Sequence, residues 1–270
     1  MNPTPTPATC AELHARLLGG QTAASLEDVL PGLAANLRTA GRVSAKYWAE
    51  STIYDPRAKA SLLPDAVLDA LGIRRESAGG VVRVPAGLMH TYGYLFSQVN
   101  TPHGLKGKRW TASRLDERLG LPAGTFGPLA PQGEFASNVT SALLRLVGER
   151  PTLPRAAKLR LSTRAAGRVE QRVTWRTADG RTEKAVVFTH LAGLAPLPGL
   201  ETDEAYLLVY SVVRDGRRRL VTGFPVDAGF AESIVRTPSG RSAAFAPRFN
   251  LYVDPSWTAV AQENRGFRPL

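Results

Sequence analysis

Between Ala205 and Val226 the chain reads AYLLVYSVVRDGRRRLVTGFPV, and this stretch restricts the possible folds more than any other. Tyr206 to Val213 is apolar apart from Ser211 and rich in β-branched and aromatic residues. Such a run is too short for a domain-spanning helix and suits a strand buried on both faces. Asp215-Gly216 follows, and Asp-Gly between two apolar runs is the strongest short-range hairpin signal. Leu220 to Phe224 is the expected partner. Pro225 is expected to end the ladder because it has no N–H to donate.

The rest of the second half extends this pattern. Lys158–Thr163 alternates, and Arg168–Thr177 alternates over a longer span. In the latter, Val169, Gln171, Val173 and Trp175 share one face, while Arg168, Glu170, Arg172 and Arg176 share the other. Ala178-Asp179-Gly180 then marks a second Asp-Gly hairpin, returning as Thr182–His190. Five strands in succession imply an antiparallel meander, with Phe249–Val253 as a candidate sixth and Trp257–Leu270 as a basic, aromatic tail.

The first half reads as helical and mixed. Helices are expected from Thr9 or Cys10 to Leu18, from Ser25 to about Thr39, at Ser44–Ser51 and at Asp65–Leu71. Two more are expected after Trp110, ending near Leu119, and at Ser137–Val147. Val81–Val84 is a short strand and Leu88–Val99 a strand or strand pair. The expected class is therefore α+β: a helical or mixed region over 9–150, then an antiparallel meander of about five or six strands over 151–270. The two can form one continuous domain. Residues 1–8 read as a disordered Pro/Thr tail.

No apolar run approaches the length of a membrane helix, and the N-terminus lacks the basic-then-apolar order of a secretion signal. A cytoplasmic protein that does not engage a membrane is expected. With one cysteine, Cys10, neither an internal disulfide nor CxxC chemistry is available. There is no GxGxxG, Walker A loop, HExxH or GxSxG, so no cofactor and no metal site are expected. Asn138-Val139-Thr140 matches a glycosylation acceptor.

The net charge is +11. Of 34 basic residues most are Arg, beside abundant Ala, Gly and Leu. GC-rich coding, as in many bacteria, favours that mix whatever the protein does. The alternative is an electrostatic footprint for a polyanion. Much of the excess sits in Arg155–Lys184.

Two clusters carry candidate chemistry. In the first, His90 and His103 are the acid/base candidates. Tyr92, Tyr94, Lys106, Lys108, Arg109 and Trp110 around them offer stacking faces and phosphate-binding cations. The plain alternative is a half-exposed loop beside a buried aromatic strand. The second is the Arg168, Arg172 and Arg176 row, with His190, Arg217, Arg219 and Thr222 on neighbouring strands. Basic groups beside one or two acid/base groups suit metal-independent RNA cleavage. One group takes the 2′-OH proton, another protonates the leaving oxygen, and Arg stabilises the phosphorane. Here the plain alternative is a solvated face whose Arg residues guard against edge pairing.

A helical first half, then His190, then a hairpin ending LVTGFP is similar to the small metal-independent bacterial ribonucleases of the barnase and RelE type. The likeness spans about 35 residues, and no catalytic motif matches residue by residue. It implies helices followed by an antiparallel sheet, and assigns no catalytic residue. The leading expectation is binding of RNA or another phosphate polyanion, with metal-independent cleavage as its catalytic form. One alternative is a small-molecule enzyme with a pocket lined by Tyr92, Tyr94, Phe96 and Trp175 and using His90 or His103. Another is a non-catalytic interaction protein that docks a partner through the Trp257–Leu270 tail.

Overall fold

The computed structural model describes residues 43, 46–52, 54–55, 60–61, 76–78, 81–84, 100–101, 104–105, 112–121, 123, 134–150, 163–199, 206–242, 251, 253–254 and 256–269. The expected tail at 1–8, helices at 9–18, 25–39 and 65–71, and strand at 88–99 lie outside the described residues.

Six strands form one antiparallel sheet: β1 (Thr163–Arg176), β2 (Thr182–Leu194), β3 (Tyr206–Arg214), β4 (Arg217–Val226), β5 (Ser239–Ser242) and β6 (Thr258–Pro269). Their order across the sheet is β4-β3-β2-β1-β6-β5. Four consecutive strands meander, and the chain then crosses over to add two more on the β1 side. The helices α1 (Leu115–Arg118), α2 (Glu134–Leu146) and α3 (Ala228–Val235) accompany them. A smaller antiparallel sheet pairs Val81–Val84 with both Ser51–Thr52 and Glu76–Ala78. The class is α+β, with the antiparallel sheet as its centre.

The two Asp-Gly pairs make different turns. Asp215 and Gly216 both take the left-handed conformation, with φ of 49° and 71°. That is the geometry whose twist matches a two-residue hairpin. At the other pair only Gly180 is left-handed, at φ 82°. Thr177 N–H donates to the Arg181 carbonyl and Gly180 N–H to the Thr177 carbonyl, which closes a longer loop.

Several expected boundaries move. Arg217–Arg219 belong to β4 and pair with Arg214, Val213 and Val212. Pro225 lies inside β4, opposite Leu207. As β4 is the end strand of the sheet, a proline there costs no ladder bond on its outer side. The strand expected at 168–177 begins at Thr163, with a register shift between Arg164 and Gly167, while residues 158–162 of the other expected strand lie outside the described residues. Of the expected strand at 249–253, Leu251 bridges to Ser51, and residues 249, 250 and 252 lie outside the described residues. The expected Trp257–Leu270 tail enters the sheet as β6 between β1 and β5. The expected helix at Ser44–Ser51 has given way by Trp48, which bridges to Leu220.

One face of the sheet is the core. Val173, Trp175, Val187, Leu191, Leu208, Tyr210 and Val212 pack there against Ala231 of α3 and against Leu251. Trp175 and Trp257 meet with ring centroids 6.3 Å apart. Asp227 caps α3 by accepting the Phe230 N–H at 2.7 Å, an arrangement that contributes about 1 kcal/mol.

On the opposite face α2 crosses β4 at Gly223. A Cβ there would stand 2.8 Å from Leu143, so glycine permits the close approach. Residues 136 to 144 of α2 are all buried, including Asn138 of the glycosylation-like triplet. The Trp48 indole N–H donates to Thr140 Oγ1 at 2.9 Å, and Ala49 N–H to the Leu220 carbonyl at 2.7 Å. This segment covers part of the β4 edge.

Candidate polyanion interface

Strand alternation builds the site. Along β1, Arg168, Glu170, Arg172 and Arg176 point away from the core, while Val169, Gln171, Val173 and Trp175 point into it, as the period-two pattern requires. Cross-strand register extends this outer face. Arg168 lies opposite His190, Glu170 opposite Phe188 and Thr174 opposite Lys184 on β2. On the other side Arg168 lies opposite Arg268, and Arg172 opposite Glu263, on β6. Arg241 on β5 lies opposite Glu263.

A bulge then adds one more cation. Between Asn264 and Phe267, β6 carries an extra residue relative to β1. Gly266 absorbs it in the left-handed conformation, at φ 47°. Three residues apart on an unbroken strand, Arg265 and Arg268 would face opposite ways. With the bulge, Arg265 reaches Glu170 at 3.7 Å and Glu263 at 3.3 Å on the outer face.

The face is therefore strongly basic. Arg172, Arg176, Lys184, Arg241 and Arg268 are exposed, and Arg168, Arg218 and Arg265 are half-buried. Among the described residues, three carboxylates oppose these eight cations: Glu170, Glu263 and Glu149, which follows α2. Arg172 pairs with Glu170 at 2.9 Å. Arg168, Arg176, Lys184, Arg241 and Arg268 have no acidic partner among the described residues. Arg168 and Arg268 stand directly opposite each other, a like-charge pairing that costs stability unless an anion joins them. Since β1 lies between β2 and β6, its Arg row does not guard a sheet edge.

Beside this face, under the end of α2, lies a buried polar niche. His190 Nε2 is 3.3 Å from Ser211 Oγ and 3.3 Å from Arg218 Nη1. Arg218 Nη1 also donates to Ser211 Oγ at 3.1 Å, and its Nε donates to Glu149 at 3.2 Å. The Phe188 ring sits between two guanidinium groups, with Arg218 4.4 Å and Arg168 5.4 Å from its centroid. Because a guanidinium only donates, His190 Nε2 accepts and Nδ1 carries the proton. That Nδ1 is buried without a partner among the described residues.

His190 is 3% exposed, and its pKa is pushed down to about 3, first by burial and then by the Arg218 and Arg168 charges. It is a neutral imidazole near pH 7, without the imidazolium proton that a general acid would give a leaving group. Burial lowers the Arg218 pKa too, with the Glu149 charge opposing.

Among the described residues, Thr222, Arg217, Arg219 and Trp175 do not join this face. Thr222 lies opposite Tyr210 on the core face, wholly buried, with Oγ1 unpartnered among the described residues. Arg217 and Arg219 are exposed but alternate away from Arg218. Arg218, in the middle of the Arg217–Arg219 run and not singled out from the sequence, is the one that joins His190, Ser211 and Glu149. Its only local signal was its alternation with Leu220. Trp175, expected in a small-molecule pocket, is 1% exposed in the core beneath the Arg214 guanidinium. His90, Tyr92, Tyr94, Phe96, His103, Lys106, Lys108, Arg109 and Trp110 lie outside the described residues.

Among the described residues, no helix is long and apolar enough to cross a membrane. No family model matches the chain, and neither a curated protein nor a solved structure matches it.

Proposed function

We propose that this protein binds single-stranded RNA or another phosphate polyanion across the outer face of β2, β1, β6 and β5. The supporting observation is the Arg row on β1. It occupies an interior strand, where edge protection does not explain it, and is joined by cations from three neighbouring strands. Arg168 to Arg176 spans about 26 Å at the usual rise of a strand, which offers several guanidinium groups to successive phosphates.

Phe188, the aromatic ring set among these cations, is only 8% exposed. Base stacking therefore contributes little, and binding rests on charge. Such binding is tolerant of sequence and steeply dependent on salt. The reading is one of binding, with no cleavage step assigned to His190.

The test is a salt series with a labelled single-stranded RNA oligomer. The logarithm of the affinity should fall linearly with the logarithm of salt concentration, with a slope of roughly −0.7 for each phosphate neutralised. No binding at low salt would refute the proposal.

A further inference from the structure

We propose that the open, shallow groove over the paired strands β5 and β6 receives a terminal phosphomonoester, so that the bound strand is held by its phosphorylated end. The ligand class rests on the polyanion reading above; the choice of group rests on the groove. Its volume is about 360 Å³, and its lining includes Ser239, Arg241, Glu263, Asn264, Arg265 and Arg268. β5 is the outermost strand of the sheet on this side, so the groove lies at one margin of the basic face.

The charge of the groove selects the group. Three guanidiniums face one carboxylate. Arg265 already engages Glu263 and Glu170, while Arg241 and Arg268 have no acidic partner among the described residues. A terminal phosphomonoester carries a charge of about −1.5 to −2 near neutral pH, whereas a phosphodiester carries only one negative charge. The net lining charge of +2 matches the former. The cross-strand Arg168–Arg268 pair places a fourth cation beside the opening.

The backbone is arranged for the same end. The bulge at Gly266 turns Arg265 to the face that holds Arg268. A Cβ at Gly266 would stand 2.6 Å from Ser239 Oγ, so glycine also makes room for that hydroxyl in the groove. Bulges that re-aim a side chain gather beside functional sites. Two bidentate guanidiniums with a hydroxyl donor suit the three terminal oxygens of a phosphate monoester.

Calorimetry at fixed ionic strength tests the inference. The ligands are adenosine 5′-monophosphate, adenosine, and one RNA oligomer prepared with a 5′-phosphate, a 3′-phosphate or hydroxyl ends. The proteins are wild type and the double variant Arg241→Gln/Arg268→Gln, with thermal unfolding to confirm that both fold. Wild type should bind the monophosphate but not adenosine. It should also prefer one phosphorylated end by about tenfold, as expected for one charged hydrogen-bonded contact. The double variant should bind every RNA form more weakly, since both cations belong to the face, and should bind phosphorylated and hydroxyl-ended RNA with the same affinity. RNA binding with no preference for either phosphorylated end would overturn the groove and leave the polyanion reading standing. Monophosphate binding that the variant abolishes, without any RNA binding, would do the opposite. No monophosphate binding by the wild type would also overturn it.

Discussion

Arg218 Nη1 stands 3.3 Å from His190 Nε2, and this contact helps to hold neutral the only histidine among the described residues. The folded-state pKa of about 3 lies below the ordinary 6.5, so the unfolded chain takes up the proton first as pH falls. Stability from this site is complete above about 6.5 and drains away as the pH drops toward 3, by up to about 1.4 kcal/mol per pH unit. His190→Gln removes the titrating group. Urea titrations at pH 7 and pH 4 should show a smaller loss of stability in the variant than in wild type. An equal loss in both would contradict a buried neutral His190.

Arg172 and Arg176 are exposed, and an exposed ion pair such as Arg172–Glu170 contributes little to stability. Arg172→Gln/Arg176→Gln should therefore leave the melting temperature nearly unchanged. Its RNA affinity should fall, with a salt slope shallower by roughly 0.7 for each phosphate that the variant no longer neutralises. A slope equal to that of the wild type would place the phosphates elsewhere.

Gly223 is the point where α2 crosses β4. Gly223→Ala would bring its Cβ to 2.8 Å from Leu143 and should cost about 1–3 kcal/mol in chemical unfolding, as overpacking does. Gly216→Ala is the comparison. It meets nothing within 4 Å, so its cost should be about 1–2 kcal/mol from the left-handed backbone alone.

Gly266→Ala combines both effects, since Gly266 is left-handed and Ser239 Oγ lies 2.6 Å from the added Cβ. Stability should fall by at least the roughly 1–2 kcal/mol of the left-handed backbone, and the preference for a phosphorylated RNA end should weaken with it. A stability loss with the end preference intact would separate the bulge from the groove.

The candidate site was legible in proportion to how local its signals are. Arg168, Arg172 and Arg176 were found on one face because alternation within one strand needs no knowledge of its neighbours. Arg241, Arg265 and Arg268 were missed because they join that face only through pairing between distant segments. Gln171 and Asn264 lie 93 residues apart and share a hydrogen bond of 2.9 Å. The bulge also hides Arg265, because a three-residue spacing within a strand reads as opposite faces until Gly266 is seen to absorb one residue.

The sequence by itself determined the antiparallel hairpins, the buried stripe from Val169 to Trp175 and the cationic stripe beside it. These follow from turn chemistry and from side-chain alternation along a pleated backbone. Only the tertiary structure decided that the C-terminal segment is a strand of the sheet, that Arg218 rather than Arg217 or Arg219 faces His190, and that Thr222 turns into the core. The β3–β4 register shift lies between Leu220 and Thr222, and a one-residue slip reverses which face each later side chain meets. A local pattern cannot place such a slip, because long-range pairing and core burial together select it.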